Sequence, residues 1–558
     1  MSTAQGRIKS DLIFQLISVG LIFITFSRIC RGEYVNWDDN ILITENSLLQ
    51  LPFIEAVSNV VSHFYHGDYI PLPLLTYWME VRLFGFNAIP QHIVNISIHC
   101  INFLLLFLIL IRTGLTRSKI YLICFIFAFH PLQVETVSWL SERKGLLSTL
   151  FLFLAILFHQ SAKIKHQLSY GFFYVLSLLC KFTGVLLPVL LVFSDWKFSS
   201  LRFRDALKKQ VPFLLLGFLA SLIRIYAYGS SVVRFNETAL SPERLAQLPL
   251  LVTTALGSYL KLFFYPIGLS AIYPDYVLSS ESIGLSIFFI LIVAIGLCVV
   301  RRATPEGKRE FLFFSLWSIF FLLPVLQIIP RINYINDRYM YLPIIGFAAL
   351  FGEGIQQVFT YFQRQARALG CARSNGFQAK LSLGLLASGV VALPLLSYER
   401  TAVWLNSQNL WEDTIQRNPR NAIAHNNLAI VYQEQKKFAP AIAEYEKVLL
   451  LGRGNGTDNL AYNNLGTIYS ASPQAEYFDL AKAERFLLEG IERSPSLSEG
   501  FYLRFNLALV YLRQGSVEKG REVLKKLAED IRSNSSDQKY FLLLRKAEEI
   551  QQKLVPNR

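Results

Sequence analysis

Two patterns divide the chain. Up to about residue 401 long apolar runs alternate with short polar connections, and beyond Asn421 charged, alanine-rich segments take over. Runs able to cross roughly 30 Å of hydrocarbon extend from Leu12 to Ile29, Ile93 to Ile111, Ile120 to Val134, Leu146 to Phe158, Tyr170 to Cys180, Val185 to Phe193, Pro212 to Ala227, Ile283 to Val300, Phe311 to Ile329, Met340 to Phe359 and Leu381 to Leu396. Those between Leu146 and Phe193 fall short of the ~20 residues that a perpendicular span needs, which predicts tilted or broken helices. Basic residues gather in every second connection, including Arg112 to Lys119, Lys197 to Lys209 and Arg364 to Lys380. The positive-inside rule makes those connections cytoplasmic and predicts 11 spans, amino terminus in and carboxyl terminus out. That parity requires Leu248 to Phe264 to lie at the interface or re-enter rather than cross.

Beyond Asn421 small and aromatic residues recur in register. Leu428, Ala429, Tyr432, Ala441 and Tyr445 set the pattern; Leu465, Gly466, Tyr469, Ala483 and Pro495 repeat it after an insertion, and Leu507, Ala508, Tyr511, Gly520 and Leu524 repeat it again. This predicts a tetratricopeptide-repeat α-solenoid, whose small residues let paired helices approach and whose concave face suits a peptide or protein. The expected fold class is therefore all-α. A polytopic membrane domain over residues 1–401, with amphipathic surface helices in its first outer loop at 31–91, precedes a repeat domain over 402–558 on the outer face.

Composition agrees with immersion in lipid. Apolar residues make up 53% of the 558 and charged residues only 17%, against roughly 25% charged in an average soluble chain. Of the net charge of +14, residues 1–401 hold +12 (33 basic, 21 acidic) and the remainder +2 (21 basic, 19 acidic). That distribution suits an anionic leaflet, and nucleic-acid binding is excluded as a reading because the polar domain is nearly neutral. The six cysteines form no CxxC pair, so no structural metal site and no disulfide framework is expected.

Chemistry concentrates in three segments predicted on the outer side. The first, VNWDDNILITEN, sets Asp38 and Asp39 beside Trp37 at the membrane edge, where a carboxylate can act as general base on an acceptor hydroxyl, although an Asp pair also caps turns. The second, HPLQVETVSWLSERKGLLSTL, carries His130, Glu135, Glu142, Arg143 and Lys144 at the ends of two spans. Its two cations could neutralise a lipid phosphate or anchor head groups. The third, IIPRINYINDRYMYLP, places Arg331, Asp337 and Arg338 beside Tyr334, Tyr339 and Tyr341, and Lys181 sits in the turn of LLCKFTGVLLP. No Gly-rich phosphate cradle occurs; the clustered Asp38, Asp39 and Glu135 could hold a divalent cation, but a metal-free site is the expectation.

With VNWDDNILITEN, PLPLLTYWMEVRLFG, HPLQVETVSWLSERKGLLSTLF, KFTGVLLPVLLVFSDW, NDRYMYLP and the terminal repeats in that order, the chain resembles the transmembrane and tetratricopeptide-repeat O-mannosyltransferase-like proteins and their bacterial relatives, within the GT-C glycosyltransferase superfamily. The resemblance implies a GT-C-like membrane domain and an inverting transferase. Its donor would be a polyprenyl-phosphate-linked sugar, mannose or another hexose, and its acceptors Ser and Thr hydroxyls of proteins held by the repeats. No further cofactor is implied. It maps the catalytic carboxylates onto Asp38, Asp39 and Glu135, and lipid-phosphate contacts onto Arg143, Lys144 and Arg338; Lys181, from its place in the outer turn between two apolar runs, is a further candidate phosphate contact. Trp37, His130, Tyr339 and Tyr341 are the candidate substrate-binding side chains. A bacterial inner membrane with the repeats in the periplasm is the expected location, or the endoplasmic reticulum membrane in a eukaryote. A lipid-linked glycan ligase, a glycolipid-modifying transferase and a non-enzymatic envelope scaffold are the alternatives.

Overall fold

The computed structural model describes residues 2–558 apart from 66, 162–163, 199–200, 229–240, 275–277, 302, 328–332, 369–388, 390, 453–456, 495–497, 535–539 and 555–558. Arg331 and most of the run from Leu381 to Leu396 lie outside the described residues. Those described fold into helices with no β-ladder beyond one isolated bridge between Tyr65 and Asp68. Two compact units divide at Leu410 and Trp411.

Unit 1 opens with α1 (Ser2–Phe26), the short α2 (Phe53–Ser62) and α3 (Pro71–Phe84), then α4 (Ala88–Ile111) and α5 (Arg117–Phe129). A single turn α6 (Val134–Ser138) follows, then α7 (Arg143–His159), α8 (Ile164–Leu178), α9 (Leu187–Phe198) and α10 (Phe203–Tyr228). It continues with α11 (Pro242–Phe264), α12 (Ser280–Arg301), α13 (Pro305–Leu322), α14 (Pro343–Ala368) and a helix over 391–401. Among the described residues four helical stretches are long and apolar enough to cross a membrane: Gln5–Arg31, Ala88–Ile111, Phe203–Tyr226 and Ser280–Arg301. A fifth is reached if the bent pair Arg117–Phe129 and Pro131–Ser138 counts as one span. Along α12 Ile283, Ile287, Ile290, Leu291, Ile295 and Leu297 all stand exposed. A row of that kind is tolerable in hydrocarbon and not in water, so the chain is a membrane protein.

The stretch expected to cross as far as Val134 instead breaks at His130 and turns by 51°. Pro131 lacks the N–H that would continue α5 and forces His130 into an extended conformation (φ −73°, ψ 136°). His130 Nδ1 then accepts from the Leu132 N–H at 3.2 Å and caps the new turn. Trp139 (φ −79°, ψ 118°) interrupts the helix a second time, and α7 starts at Arg143. From Phe127 to Arg143 every residue is buried, so this broken segment is core rather than a surface loop.

Unit 2 is a succession of helix pairs: α15 (Ala422–Glu434) with α16 (Phe438–Leu451), α17 (Thr457–Ala471) with α18 (Leu480–Arg493), α19 (Phe501–Arg513) with α20 (Val517–Asn534), and α21 (Phe541–Lys553) against α20. Ala429, Ala441, Tyr445, Leu465, Tyr469, Ala483 and Leu507 lie in one apolar core. The small residues are there because the helices touch: a Cβ on Gly466 would stand 2.6 Å from Leu487, and one on Gly520 2.8 Å from Leu512.

Candidate functional site

The three chemistry-bearing segments meet around Trp139. Asp39 is fully buried, and its Oδ1 accepts from the Ser141 backbone N–H (2.9 Å) and hydroxyl (2.5 Å) while Oδ2 accepts from the Val35 N–H (3.0 Å). Burial, with the neighbouring Asp38 charge adding to it, pushes the Asp39 carboxyl up to about 6 against those three donors. Asp38 is half-buried, and its backbone carbonyl starts the short helical turn over Asn40–Thr44 by accepting from the Leu42 N–H at 2.9 Å. The two acids therefore differ: Asp39 ties the first loop to the turn over Leu140–Glu142, and Asp38 stands beside it at the more open position.

Trp37 stacks on Trp139 (centroids 6.3 Å, planes 29° apart), and Trp139 stacks on Trp404 (5.9 Å, 25°). Trp404 belongs to a strap over 398–407 that is bonded along the first loop. The Glu33 N–H donates to the Leu405 carbonyl (2.7 Å), the Asn36 N–H to the Ser407 hydroxyl (2.9 Å), and Arg28 pairs with Glu399 at 3.3 Å. Arg338 also approaches Trp139, its guanidinium carbon 5.3 Å from that ring and 5.3 Å from the Tyr339 ring.

Glu135, delivered by the break at His130, accepts from Arg338 Nη1 at 2.5 Å and from the Arg338 backbone N–H at 3.0 Å. Next to it, buried Asp337 accepts from the Tyr273 hydroxyl at 2.5 Å. Burial and the facing Glu135 charge push the Asp337 carboxyl up, while Glu135 and Tyr339 help raise the Arg338 guanidinium further. Lys181 pairs with Glu142, whose second oxygen is buried without a hydrogen-bond partner. A Cβ at Gly145 would meet that Glu142 carboxylate and lie 3.5 Å from Lys181 Nζ, so only glycine permits the pair to form against α7. Burial lowers the Lys181 ammonium, and the like charges of Lys144 and Arg338 act the same way against the raising effect of Glu142.

The structure thus brings Trp37, Asp38, Asp39, Glu135, Lys144, Lys181, Arg338 and Tyr339 into one neighbourhood. It sends three other candidates elsewhere. Arg143, fully buried, donates to Asn95 (2.8 Å), Glu80 (2.5 Å), Thr76 (3.5 Å) and the Gln91 carbonyl (2.9 Å) over the Tyr77 ring, and so clamps α3 and α4 onto α7. The Tyr341 hydroxyl meets His99 at 2.7 Å and Asn102 at 3.2 Å in the helical core. His130 stacks on Phe263 and bonds its carbonyl at 2.9 Å. Trp139, Ser141, Trp404 and Tyr273 are not among the residues expected at the site; of these, Trp139 and Ser141 are signalled by their place between the Glu135 and Arg143 charges. Among the described residues no three His, Cys, Asp or Glu side chains converge as metal ligands.

An all-helical membrane protein with a buried acid–base cluster beside stacked indoles is the class that fold and site define. No family model matches the chain. Among curated proteins it is similar to Protein O-mannosyl-transferase TMTC1 of Homo sapiens, 24% identical over 464 residues that cover 74% of this chain and 51% of that protein. Protein O-mannosyl-transferase F38B6.6 of Caenorhabditis elegans is 23% identical over 437 residues (75% and 59%), and TMTC3 of Mus musculus 22% over 463 (75% and 48%). The resemblance read from the motifs is thus shared by curated O-mannosyl-transferases across three-quarters of the sequence. The chain spans about half the length of the curated relatives it matches.

Proposed function

We propose that the chain is an inverting glycosyltransferase that moves mannose or another hexose from a polyprenyl-phosphate carrier to Ser or Thr hydroxyls of protein acceptors on the outer side of the membrane. The observation that carries this reading is the anchoring of the Asp38–Asp39 loop, through Asp39 on Ser141 and Trp37 on Trp139, to the segment whose Trp139 ring Arg338 covers and whose Glu142 pairs with Lys181, in a chain similar to O-mannosyl-transferases. The acceptor oxygen would attack the anomeric carbon as the bond from that carbon to the phosphate oxygen breaks. Its proton would pass to Asp38, and the electron pair leaves with the phosphate, whose charge Lys144, Lys181 and Arg338 would balance. Asp39 would act as a positioning residue, because its three donors hold the loop that presents Asp38. Glu135 would hold Arg338, and Arg143 would hold the helices behind it. Trp37 and Tyr339 supply aromatic faces for the sugar.

The reading extends to eleven spans, a membrane domain over 1–401, tetratricopeptide repeats over 402–558 that receive the acceptor, and a bacterial inner membrane with the repeats in the periplasm. A polyprenyl phosphate is already an activated leaving group, so no metal or further cofactor is included. The test is comparative mass spectrometry of outer-side proteins from cells carrying the native chain or Asp38→Asn. Loss of hexose additions on Ser and Thr peptides in the variant, at equal membrane expression, is the expected result. Unchanged protein masses with altered envelope glycans would replace this reading by a glycan ligase, and no change in either would leave a scaffold.

A further inference from the structure

The proposed phosphate site has one more charged pair at its edge. Asp68, four residues after Phe64 in the first loop, accepts a short hydrogen bond from Arg224 on α10, and its other oxygen lies 3.8 Å from Lys144 Nζ. The Arg224 guanidinium also covers the Phe182 ring at 5.0 Å, next to Lys181. The four cations Lys144, Lys181, Arg224 and Arg338 are thus paired with three carboxylates: Asp68 with Lys144 and Arg224, Glu142 with Lys181, and Glu135 with Arg338.

The carboxylates are not alike. Glu142 and Glu135 are 1% exposed and fixed in the core, whereas Asp68 is 19% exposed, close to Lys144 at 17% and Arg224 at 22%. Asp68 holds a guanidinium and an ammonium with the two oxygens of one group, which is also how two non-bridging oxygens of a phosphate would engage them. It does so at the accessible side of the cluster, where a carboxylate can exchange for another anion at small desolvation cost.

We propose that Asp68 is a built-in anion that occupies Lys144 and Arg224 in the donor-free site and yields them to the donor's phosphate, so that Arg224 is a further phosphate-binding residue. This rests on the transferase reading above and assigns that site its competitor. The side chain of Asp68 turns aside, no bond is made or broken, and the net charge of the occupied cluster falls by that of the phosphate. Without Asp68 the two cations would repel each other while empty.

The test uses full-length protein in lipid nanodiscs and undecaprenyl phosphate as probe, with affinity read by quenching of intrinsic fluorescence and inorganic phosphate as the lipid-free comparison. Asp68→Asn should tighten undecaprenyl phosphate by about tenfold, and Arg224→Gln should weaken it by about tenfold or more. The double variant should show no gain over Arg224→Gln alone. Asp68→Ser, smaller and also neutral, should repeat the gain if Asp68→Asn disturbs folding. Unchanged or weaker binding in both Asp68 variants, with Lys144→Gln and Lys181→Gln still weakening it, would overturn the built-in anion and leave the phosphate site standing. Binding that is indifferent to Lys144, Lys181 and Arg224 alike would overturn both. Equal competition by millimolar inorganic phosphate would identify the bound chemistry as the phosphate alone; its failure to compete would assign recognition to the lipid-linked form.

Discussion

Glu135 receives two hydrogen bonds from one residue, Arg338, at 2.5 Å from the guanidinium and 3.0 Å from the backbone N–H. A side chain held by both its tip and its root cannot swing, so Glu135 fixes where the Arg338 charge sits over Trp139. Glu135→Gln keeps the shape but exchanges an ionic acceptor for a neutral one. Transfer should drop by about ten- to a hundredfold through weaker donor binding, at little change in turnover once donor saturates. A loss confined to turnover would instead make Glu135 a direct participant, and steady-state kinetics in detergent would tell the two apart.

Asp38 and Asp39 should separate under the same substitution. Asp38→Asn is expected to abolish transfer with an unchanged unfolding temperature. Asp39→Asn turns an amide N–H₂ toward donors at Val35 and Ser141, and should cost about 1–3 kcal/mol of stability, read as earlier thermal unfolding.

The pH dependence follows from the same buried carboxyl. Asp39 ionises near 6 in the folded chain against 3.8 ordinarily. Between those values the folded form holds a proton that the unfolded form has lost, so stability falls as pH rises through the interval, by about 3 kcal/mol in all from this group. The transfer rate should rise over the same range as Asp39 becomes the charged acceptor that orders its loop. Unfolding midpoints and initial rates from pH 4 to 8 check both slopes.

Arg143→Lys exchanges a four-way fork for a point charge and leaves Glu80, the Gln91 carbonyl and Asn95 short of donors in the core. A loss of about 3–5 kcal/mol in unfolding free energy is expected, with donor affinity in the surviving folded fraction unchanged. Weakened affinity without loss of stability would return Arg143 to the phosphate.

Gly145→Ala places a methyl group against the Glu142 carboxylate. The overpacking should cost about 1–3 kcal/mol and, by pushing Glu142 away from Lys181, reduce transfer more than Lys181→Arg does. Paired melting curves and rates measure each part.

Much of this arrangement was legible in order along the chain. The helical class and the repeating small residues at Ala429, Gly466 and Ala508 follow from residue type and period, whereas Asp39, Glu135, Lys181 and Arg338 are singled out by their place in polar segments between apolar runs and by the family resemblance. The direction of each charge did not. Arg143 and Lys144 are neighbours in sequence, yet successive residues of a helix point about 100° apart, so one enters the core and the other faces Asp68, and the rotation is set by where Trp139 ends the preceding turn. Tyr339 and Tyr341 part for the same reason. The break at His130 hid in an apolar run, and Arg224, a lone charge near the end of a long apolar helix, reads as a head-group anchor until Asp68 is seen beside it. Trp404 lies hundreds of residues from its ring partner, and no local period announces such a pairing.

The column Trp37, Trp139 and Trp404 gathers three of the seven tryptophans at the acid loop. Indoles stacked at this range share their excited states, which gives the site an optical signature of its own in near-ultraviolet circular dichroism. The assembled state of the first loop, the 130–145 segment and the 398–407 strap can therefore be followed as a spectrum.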